Sequence, residues 1–209
     1  FINCGQTCIA PDYLFVHKEV KEEFINLLKE NIISFFGTEA SESENYGRII
    51  NQRQFLRLKN LLSQGEIIFG GKHDERNNYI SPTLIKPYEL NNSLMQDEIF
   101  GPILPILEFE NIESVIEYIN QRPRPLALYY FGNKNINIIK RTTSGGACIN
   151  DAIMHIIPHN LPFGGIGQSG MGAYHGKKSF DTFSHYKSVL KTHKNFEFKI
   201  KYPPYTSLK

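Results

Sequence analysis

Apolar residues along the chain alternate between short continuous runs, typical of strands, and three- or four-residue spacing, typical of helices. Residues 13–16 predict a strand, and residues 18–36 predict a helix that ends at Gly37. The apolar positions that indicate this helix are Val20, Phe24, Leu27, Leu28 and Ile32. A second helix is predicted over residues 52–63, and a strand over residues 67–69.

The same alternation continues through the middle of the chain. An extended stretch is predicted over residues 80–85, interrupted by Pro82. Further strands are predicted over residues 103–109, 126–131 and 147–149, and further helices over residues 112–119 and 135–140. Strands that alternate with helices of this length indicate βαβ units. We therefore predict an α/β fold of three layers, with a mostly parallel sheet covered by helices on both faces.

Beyond Asn150 the periodicity is lost. Residues 158–176 are rich in Gly, Pro and His and predict a loop, whereas residues 180–190 are predicted to be extended. The predicted loop contains a G-x-G-x-x-G pattern that begins at Gly165. A dinucleotide-binding fingerprint needs a strand before these glycines and a helix after them, and neither is predicted here. The histidines at 155, 159, 175 and 185 lack helical ligand spacing and are interpreted as structural or surface residues.

Composition narrows the class of protein. The chain has 209 residues, 41% hydrophobic and 21% charged, with a formal net charge of +2, as is usual for a globular protein. This charge does not point to nucleic acid or to a membrane surface as a partner. Three cysteines, an odd number, argue against a disulfide framework and favour an intracellular, reducing compartment. No apolar run reaches the roughly 18 to 20 residues that span a bilayer.

Two segments carry candidate chemistry. In the segment from Asn3 to Cys8, a cysteine lies among glycine and small polar residues, where backbone N–H groups can activate a thiol and face an oxyanion. Two small buried cysteines, or a metal site of Cys4, Cys8 and His17, are the alternatives. In the segment from Gln96 to Pro102, a carboxylate can accept hydrogen bonds from a sugar diol beside an aromatic ring. An ordinary turn with a core phenylalanine is the alternative there.

Together these segments resemble the aldehyde dehydrogenase superfamily. The nucleophile segment F-x-N-x-G-Q-x-C is matched by residues 1–8, E-I-F-G-P by residues 98–102 and P-F-G-G by residues 162–165. Finer features, such as G-Q-T-C-I-A-P-D-Y over residues 5–13, are similar to the class 3 branch, which oxidises fatty and aromatic aldehydes.

The resemblance implies a covalent mechanism with Cys8 as the nucleophile, which forms a thiohemiacetal and then a thioester. It implies NAD or NADP as the cofactor, with Glu98 at the nicotinamide ribose and Phe100 near the ring. Asn150 and Phe163 match family positions near the substrate tunnel. No metal is implied, and the expected substrates are medium- or long-chain aliphatic or aromatic aldehydes.

The resemblance also predicts the domain organisation. Residues 1–180 correspond to the catalytic domain, and residues 181–209 to an oligomerisation strand and a C-terminal extension that join a homodimer. The cofactor-binding domain, the general-base glutamate and the oxyanion-hole asparagine are expected upstream, so we expect this chain to be a piece of a longer protein with negligible turnover alone. The parent is expected in the cytoplasm, or associated with the endoplasmic reticulum or another membrane through other segments.

Two other functions are compatible with the residues. A cysteine hydrolase would pair Cys8 with a histidine such as His155 or His175. A non-catalytic interaction module would pair through its terminal strand.

Overall fold

The computed structural model describes residues 1–132 and 138–205. The described strands are β1 Leu14–His17, β2 Gly65–Phe69, β3 His73–Asp74, β4 Tyr79–Ile80, β5 Thr83–Pro87, β6 Ile103–Phe109, β7 Ala127–Tyr130 and β8 Gly146–Ile149. The described α-helices are α1 Lys21–Phe36, α2 Gln52–Leu61, α3 Ile112–Asn120, α4 Ile138–Arg141 and α5 Gly176–Thr182. They confirm most of the predicted elements; the predicted start of the helix over residues 135–140 lies outside the described residues.

The main sheet has four strands in the order β1, β6, β5, β2. Strand β6 pairs in parallel with both β1 and β5, whereas β2 is antiparallel to β5. Strands β7 and β8 form a separate parallel pair that places Tyr129 beside Cys148. The prediction of a mostly parallel sheet is therefore confirmed.

Helices cover both faces of the main sheet. Side chains of β5 alternate between the two faces, as the pleat requires. Leu84 packs with Ile25 and Ile32 of α1 in one apolar cluster. Ile85 packs with Phe55 and Leu58 of α2 in the other cluster. This arrangement confirms the three-layer α/β/α fold.

The C-terminal part differs from its prediction. Helix α5 extends to Thr182, so the prediction of an extended chain is wrong for residues 180–182. The helix is stabilised by an ion pair between Lys177 and Asp181 and by a hydrogen bond from the backbone N–H of His175 to Ser179. After Phe183 the described chain has no strand. No described helix is long and apolar enough to cross a membrane.

Candidate active site

The loop that carries Cys8 has an unusual backbone. Asn3, Cys4 and Gly5 all have positive φ angles, of 51°, 57° and 71°. Such left-handed conformations are uncommon outside glycine and need support from neighbouring contacts. The side-chain amide of Asn3 donates to the Gln6 carbonyl at 3.0 Å and thereby closes the turn locally.

Gln6 attaches this loop to the segment that precedes α2. Its side-chain amide donates to the Arg48 carbonyl at 3.0 Å, and its side-chain oxygen accepts from the Ile50 backbone N–H at 2.9 Å. A glutamine fits this position because it offers a donor and an acceptor from one group. The loop is consequently fixed to the body of the protein two residues before Cys8.

The cysteines of the loop differ in their surroundings. Cys8 is exposed, whereas Cys4 is only 1% exposed and packs in the core beside Tyr46. Burial raises the pKa of the Cys4 thiol, which keeps it protonated and unreactive at neutral pH. The interpretation as a small buried residue therefore holds for Cys4 but not for Cys8.

The turn formed by residues 98–102 packs directly against this loop. A Cβ on Gly5 would lie 2.1 Å from the Gly101 carbonyl oxygen, and a Cβ on Gly101 would lie 2.4 Å from a methyl group of Leu58. The position of Gly5 therefore requires glycine, whereas a side chain at Gly101 would displace Leu58. The neighbouring Phe100 has a φ of 49° and leaves 42% of its surface exposed. The turn thus presents the Phe100 ring to solvent instead of to the core.

Side chains of opposite charge hold Ile99 at the centre of the turn. The Ile99 N–H donates to a carboxylate oxygen of Asp12 at 2.8 Å. The Ile99 carbonyl accepts from the Arg57 guanidinium at 2.5 Å. Burial raises the pKa of Asp12, against the opposing effects of the Ile99 hydrogen bond and the Arg57 charge.

Glu98 and Phe100 lie on the wall of an open groove of about 680 Å³. The groove is lined by Ile50, Asn51, Arg53, Gln54, Arg57, Leu61, Ser93, Asp97, Glu98 and Phe100. Partial burial, and then the nearby Asp12 charge, raise the pKa of Glu98, while Arg57 opposes that rise. A carboxylate beside an exposed ring fits a ligand that combines a diol with a flat heterocycle, as the nucleotide end of NAD or NADP does.

A second group of side chains lies on the β7–β8 side of the cysteine loop. The Tyr129 hydroxyl donates to the carbonyl of Ile9, the residue after Cys8, at 2.7 Å. The buried His155 lies 3.4 Å from the Cys148 sulfur through its Nδ1 atom, and burial lowers the pKa of its imidazole. Among the described residues no histidine forms a hydrogen bond with Cys8, so the pairing that a cysteine hydrolase needs is not present.

The two residues that the resemblance places near the substrate tunnel occupy different surroundings. Phe163 is buried, and its ring lies 5.7 Å from that of His155 and 6.1 Å from that of His175. Phe163 therefore joins the Tyr129 side of the site. Asn150 is exposed, and its side-chain oxygen accepts from the Gly132 N–H at 2.8 Å. No contact between Asn150 and Cys8 is seen in the described part of the chain.

The glycine-rich segment forms a compact loop beside Phe163. A Cβ on Gly164 would lie 2.2 Å from the Gly172 carbonyl oxygen, and one on Gly165 would lie 2.1 Å from that of Ser169. A single short 3-10 turn, Gly167–Ser169, follows in place of the helix that a dinucleotide fingerprint requires. The segment is a loop, as predicted, and its glycines serve close packing of the backbone.

Sequence reasoning missed three residues of this site. Asp12 and Arg57 meet at Ile99, and Tyr129 meets the carbonyl beside Cys8. Each of them binds a backbone group that is distant in the sequence, which no local pattern reveals. The available signals were two charged residues next to apolar ones: Asp12 lies two residues before β1, and Arg57 lies between two apolar residues of α2.

The fold and the site define an α/β domain with an exposed thiol on a loop that packs against the wall of an open groove. Residues 1–189 match the family model "Aldehyde dehydrogenase family". The chain is 48% identical to "Aldehyde dehydrogenase family 3 member A2" of Rattus norvegicus, over 98% of this chain and 43% of that protein. It is 47% identical to "Aldehyde dehydrogenase, dimeric NADP-preferring" of the same organism, over 98% of this chain and 46% of that protein.

A solved structure shares the fold. The substrate-bound state of Staphylococcus aureus AldH superposes with a TM-score of 0.86 and 44% identity, over 99% of this chain and 46% of that chain. The chain therefore belongs to the aldehyde dehydrogenase family. It spans less than half the length of each of these relatives.

Proposed function

We propose that the enzyme containing this chain oxidises aldehydes to carboxylic acids, with Cys8 as the covalent nucleophile and NAD or NADP as the hydride acceptor. The observation that carries this proposal is the position of Cys8, exposed on a loop that packs against the groove turn through Gly5 and Gly101. Because the chain spans 43% of the rat relative, the proposed activity is that of the whole enzyme.

In the first step, the Cys8 sulfur attacks the carbonyl carbon of the aldehyde and a C–S bond forms. The carbonyl oxygen takes the negative charge, and the backbone N–H of Cys8 stabilises it before protonation gives a thiohemiacetal. A bound NAD or NADP would supply the acceptor for the hydride that leaves this carbon. The hydroxyl proton of the thiohemiacetal is lost to water as its C–O bond becomes the carbonyl of a thioester. The thioester left on Cys8 is hydrolysed by water, which releases the carboxylic acid and restores the thiol.

The groove residues orient the cofactor in this proposal. The Glu98 carboxylate accepts hydrogen bonds from the ribose hydroxyls, and the Phe100 ring packs near the nicotinamide. These roles are supported by the location of both side chains on one groove wall, and by the attachment of that wall to the Cys8 loop.

The proposed substrates are medium- or long-chain aliphatic or aromatic aldehydes. The aromatic surroundings of Phe163, whose ring lies 5.6 Å from that of Tyr174, support a passage for such substrates on the Tyr129 side of the loop. Asn150 is proposed near the outer end of that passage, because its exposed side chain follows directly after β8.

The proposed assembly is a homodimer joined through residues 181–209. It is supported by Phe183, Val189 and Leu190, which are all at least 79% exposed in a segment without a described pairing partner. The name of the dimeric rat relative is consistent with this assembly.

The test is a steady-state dehydrogenase assay of the whole enzyme with hexanal and with benzaldehyde, using NAD and NADP in turn. The Cys8→Ala variant is expected to lose all measurable activity, because the nucleophile is removed. The Cys148→Ala variant, in which another free thiol is removed, is the matched control and is expected to remain active. A Cys8→Ala enzyme with wild-type activity would disprove the covalent mechanism.

A further inference from the structure

We propose that Asp12 is a positioning residue that fixes the turn carrying Glu98 and Phe100 relative to Cys8. The proposal rests on the function proposed above, and it assigns a role in the hydride-transfer step to a residue outside the groove. Asp12 follows Cys8 by four positions and belongs to the same segment of chain.

The hydrogen bond of Asp12 acts on the centre of the turn. Its carboxylate accepts from the Ile99 N–H at 2.8 Å, and Ile99 lies between the two proposed cofactor contacts, Glu98 and Phe100. Because the N–H belongs to the peptide group that joins Glu98 to Ile99, rotation of this peptide would move the Glu98 side chain. Asp12 therefore restrains Glu98 directly.

Arg57 restrains the other peptide group of Ile99. Its guanidinium donates to the Ile99 carbonyl at 2.5 Å, and its Nε donates to the Gln54 side chain at 2.7 Å. This carbonyl belongs to the peptide group that leads into Phe100, whose φ of 49° needs outside support. The two side chains thus hold both peptide groups of Ile99, one on each side.

Two attachments flank the nucleophile. Gly5, three residues before Cys8, contacts Gly101, and Asp12, four residues after Cys8, binds Ile99. Two separated contacts prevent rotation of the turn relative to the loop, which a single contact would permit. The Gly5 contact limits the approach of the two backbones, and the Asp12 contact sets their orientation.

The partly buried carboxylate of Asp12 is energetically less favourable than an apolar side chain would be if the position served only for packing. Burial disfavours its charged form and raises its pKa, with only the Ile99 N–H and the Arg57 charge in compensation. A position whose only task was to fill space would be satisfied by an apolar residue. The turn needs the carboxylate oxygen of Asp12 as the acceptor for the Ile99 N–H.

The experiment compares two reactions of the same thiol in the whole enzyme. Aldehyde oxidation needs both Cys8 and a correctly oriented cofactor, whereas hydrolysis of p-nitrophenyl acetate without cofactor needs only the thiol side of the site. The affinity for NADPH, measured by fluorescence titration, and the Tm are recorded for every variant. The variants are Asp12→Ala, Asp12→Asn and Asp12→Leu.

We expect Asp12→Ala to lower kcat for aldehyde oxidation by about 10- to 100-fold, since a misplacement of about 1 Å has this effect on oriented reactions. Ester hydrolysis is expected to stay within about threefold of wild type, and NADPH binding to weaken. Asp12→Asn retains an acceptor oxygen and is expected to restore most of the oxidation. Asp12→Leu keeps the branching at Cγ without an acceptor and tests the same expectation if the alanine variant does not fold.

The matched control is Asp74→Ala, which removes another aspartate that accepts a backbone N–H, from Arg76 at 3.0 Å. We expect it to leave the ratio of oxidation to ester hydrolysis unchanged. An equal loss of both reactions in Asp12→Ala and Asp12→Leu, or no loss of either, would overturn the role of Asp12. A wild-type enzyme that hydrolyses the ester but oxidises no aldehyde would instead disprove the proposed function, and this inference with it.

Discussion

At the scale of single residues, the three cysteines of this chain have three different environments. Cys8 is exposed, Cys148 is partly buried beside His155, and Cys4 is 1% exposed with a pKa raised by burial. Cysteine reactivity depends on access and on the thiolate fraction. The residue type alone therefore predicts nothing about which thiol reacts, whereas the motif around Cys8 does.

We expect iodoacetamide to alkylate Cys8 first, Cys148 more slowly and Cys4 only after unfolding. The order follows from exposure and, for Cys4, from the raised pKa. Peptide mass spectrometry of samples quenched at successive times measures it. In guanidinium chloride the three rates should converge, and alkylation of native Cys4 as fast as Cys8 would contradict the structure.

Glu98 gives the site a pH dependence. Burial and the Asp12 charge raise its pKa above the ordinary 4.5, so its carboxylate becomes protonated at a higher pH than an ordinary glutamate. Since the proposed ribose contact needs the charged acceptor, NADPH affinity is expected to be full at high pH and to fall as the pH is lowered through this raised pKa. Fluorescence titration across pH measures the effect, and Glu98→Gln is expected to flatten the profile.

The candidate site was only partly predictable at this scale. Cys8, Glu98 and Phe100 could be proposed from the sequence because each lies in a short continuous motif. Asp12 was not assigned a role because its partner, the Ile99 N–H, lies 87 residues away. Every residue except proline has the same backbone N–H, so the sequence does not indicate which one a side chain will bind.

At the scale of elements, helix α2 links the core to the groove. Its buried face contains Phe55 and Leu58, and its outer face supplies Arg53 and Gln54 to the groove wall. Leu58 also contacts Gly101 of the turn. The periodicity of apolar residues predicted this helix well, because one face of it is buried along its whole length.

The contribution of that buried face can be measured with two leucines of the same helix. Leu58 is 0% exposed, so Leu58→Ala is expected to lower the free energy of unfolding by about 2–5 kcal/mol. Leu56 is 42% exposed, and Leu56→Ala is expected to change it by less than about 1 kcal/mol. Urea denaturation followed by circular dichroism compares them, and equal losses would show that Leu58 does not lie in the core.

Helix α5 shows where the pattern of apolar residues fails. It has seven residues, begins at Gly176 and has no buried residue, so no apolar stripe distinguishes it from an extended segment. Its stability depends on polar contacts such as the pair of Lys177 and Asp181. Whether such a short, exposed segment is helical depends on side-chain hydrogen bonds, which the periodicity of apolar residues does not detect.

At the scale of the whole molecule, the fold was predictable because alternating strands and helices leave few topologies. The packing of the C-terminal segment was not, because its apolar residues have no buried position among the described residues. Val189 and Leu190 are 79% and 90% exposed here.

We expect Leu190→Asp to convert the proposed dimer of the whole enzyme to a monomer, because a buried charge without a partner destabilises an interface. Light scattering after size-exclusion chromatography measures the mass. The control is Leu27→Asp on α1, an exposed leucine outside the C-terminal segment, which is expected to leave the dimer intact. A Leu190→Asp enzyme that stays dimeric would exclude this segment as the interface.

The contact between the Cys8 loop and the turn at Ile99 also has a consequence for biosynthesis. The two partners are 87 residues apart, so at roughly 5–20 residues per second the ribosome needs about 4 to 17 s to add the second after the first. During that interval Cys8 of the nascent chain lacks the contact between its loop and the turn at Ile99. The proposed active site can therefore form only after the Cys8 loop has packed against the turn at Ile99.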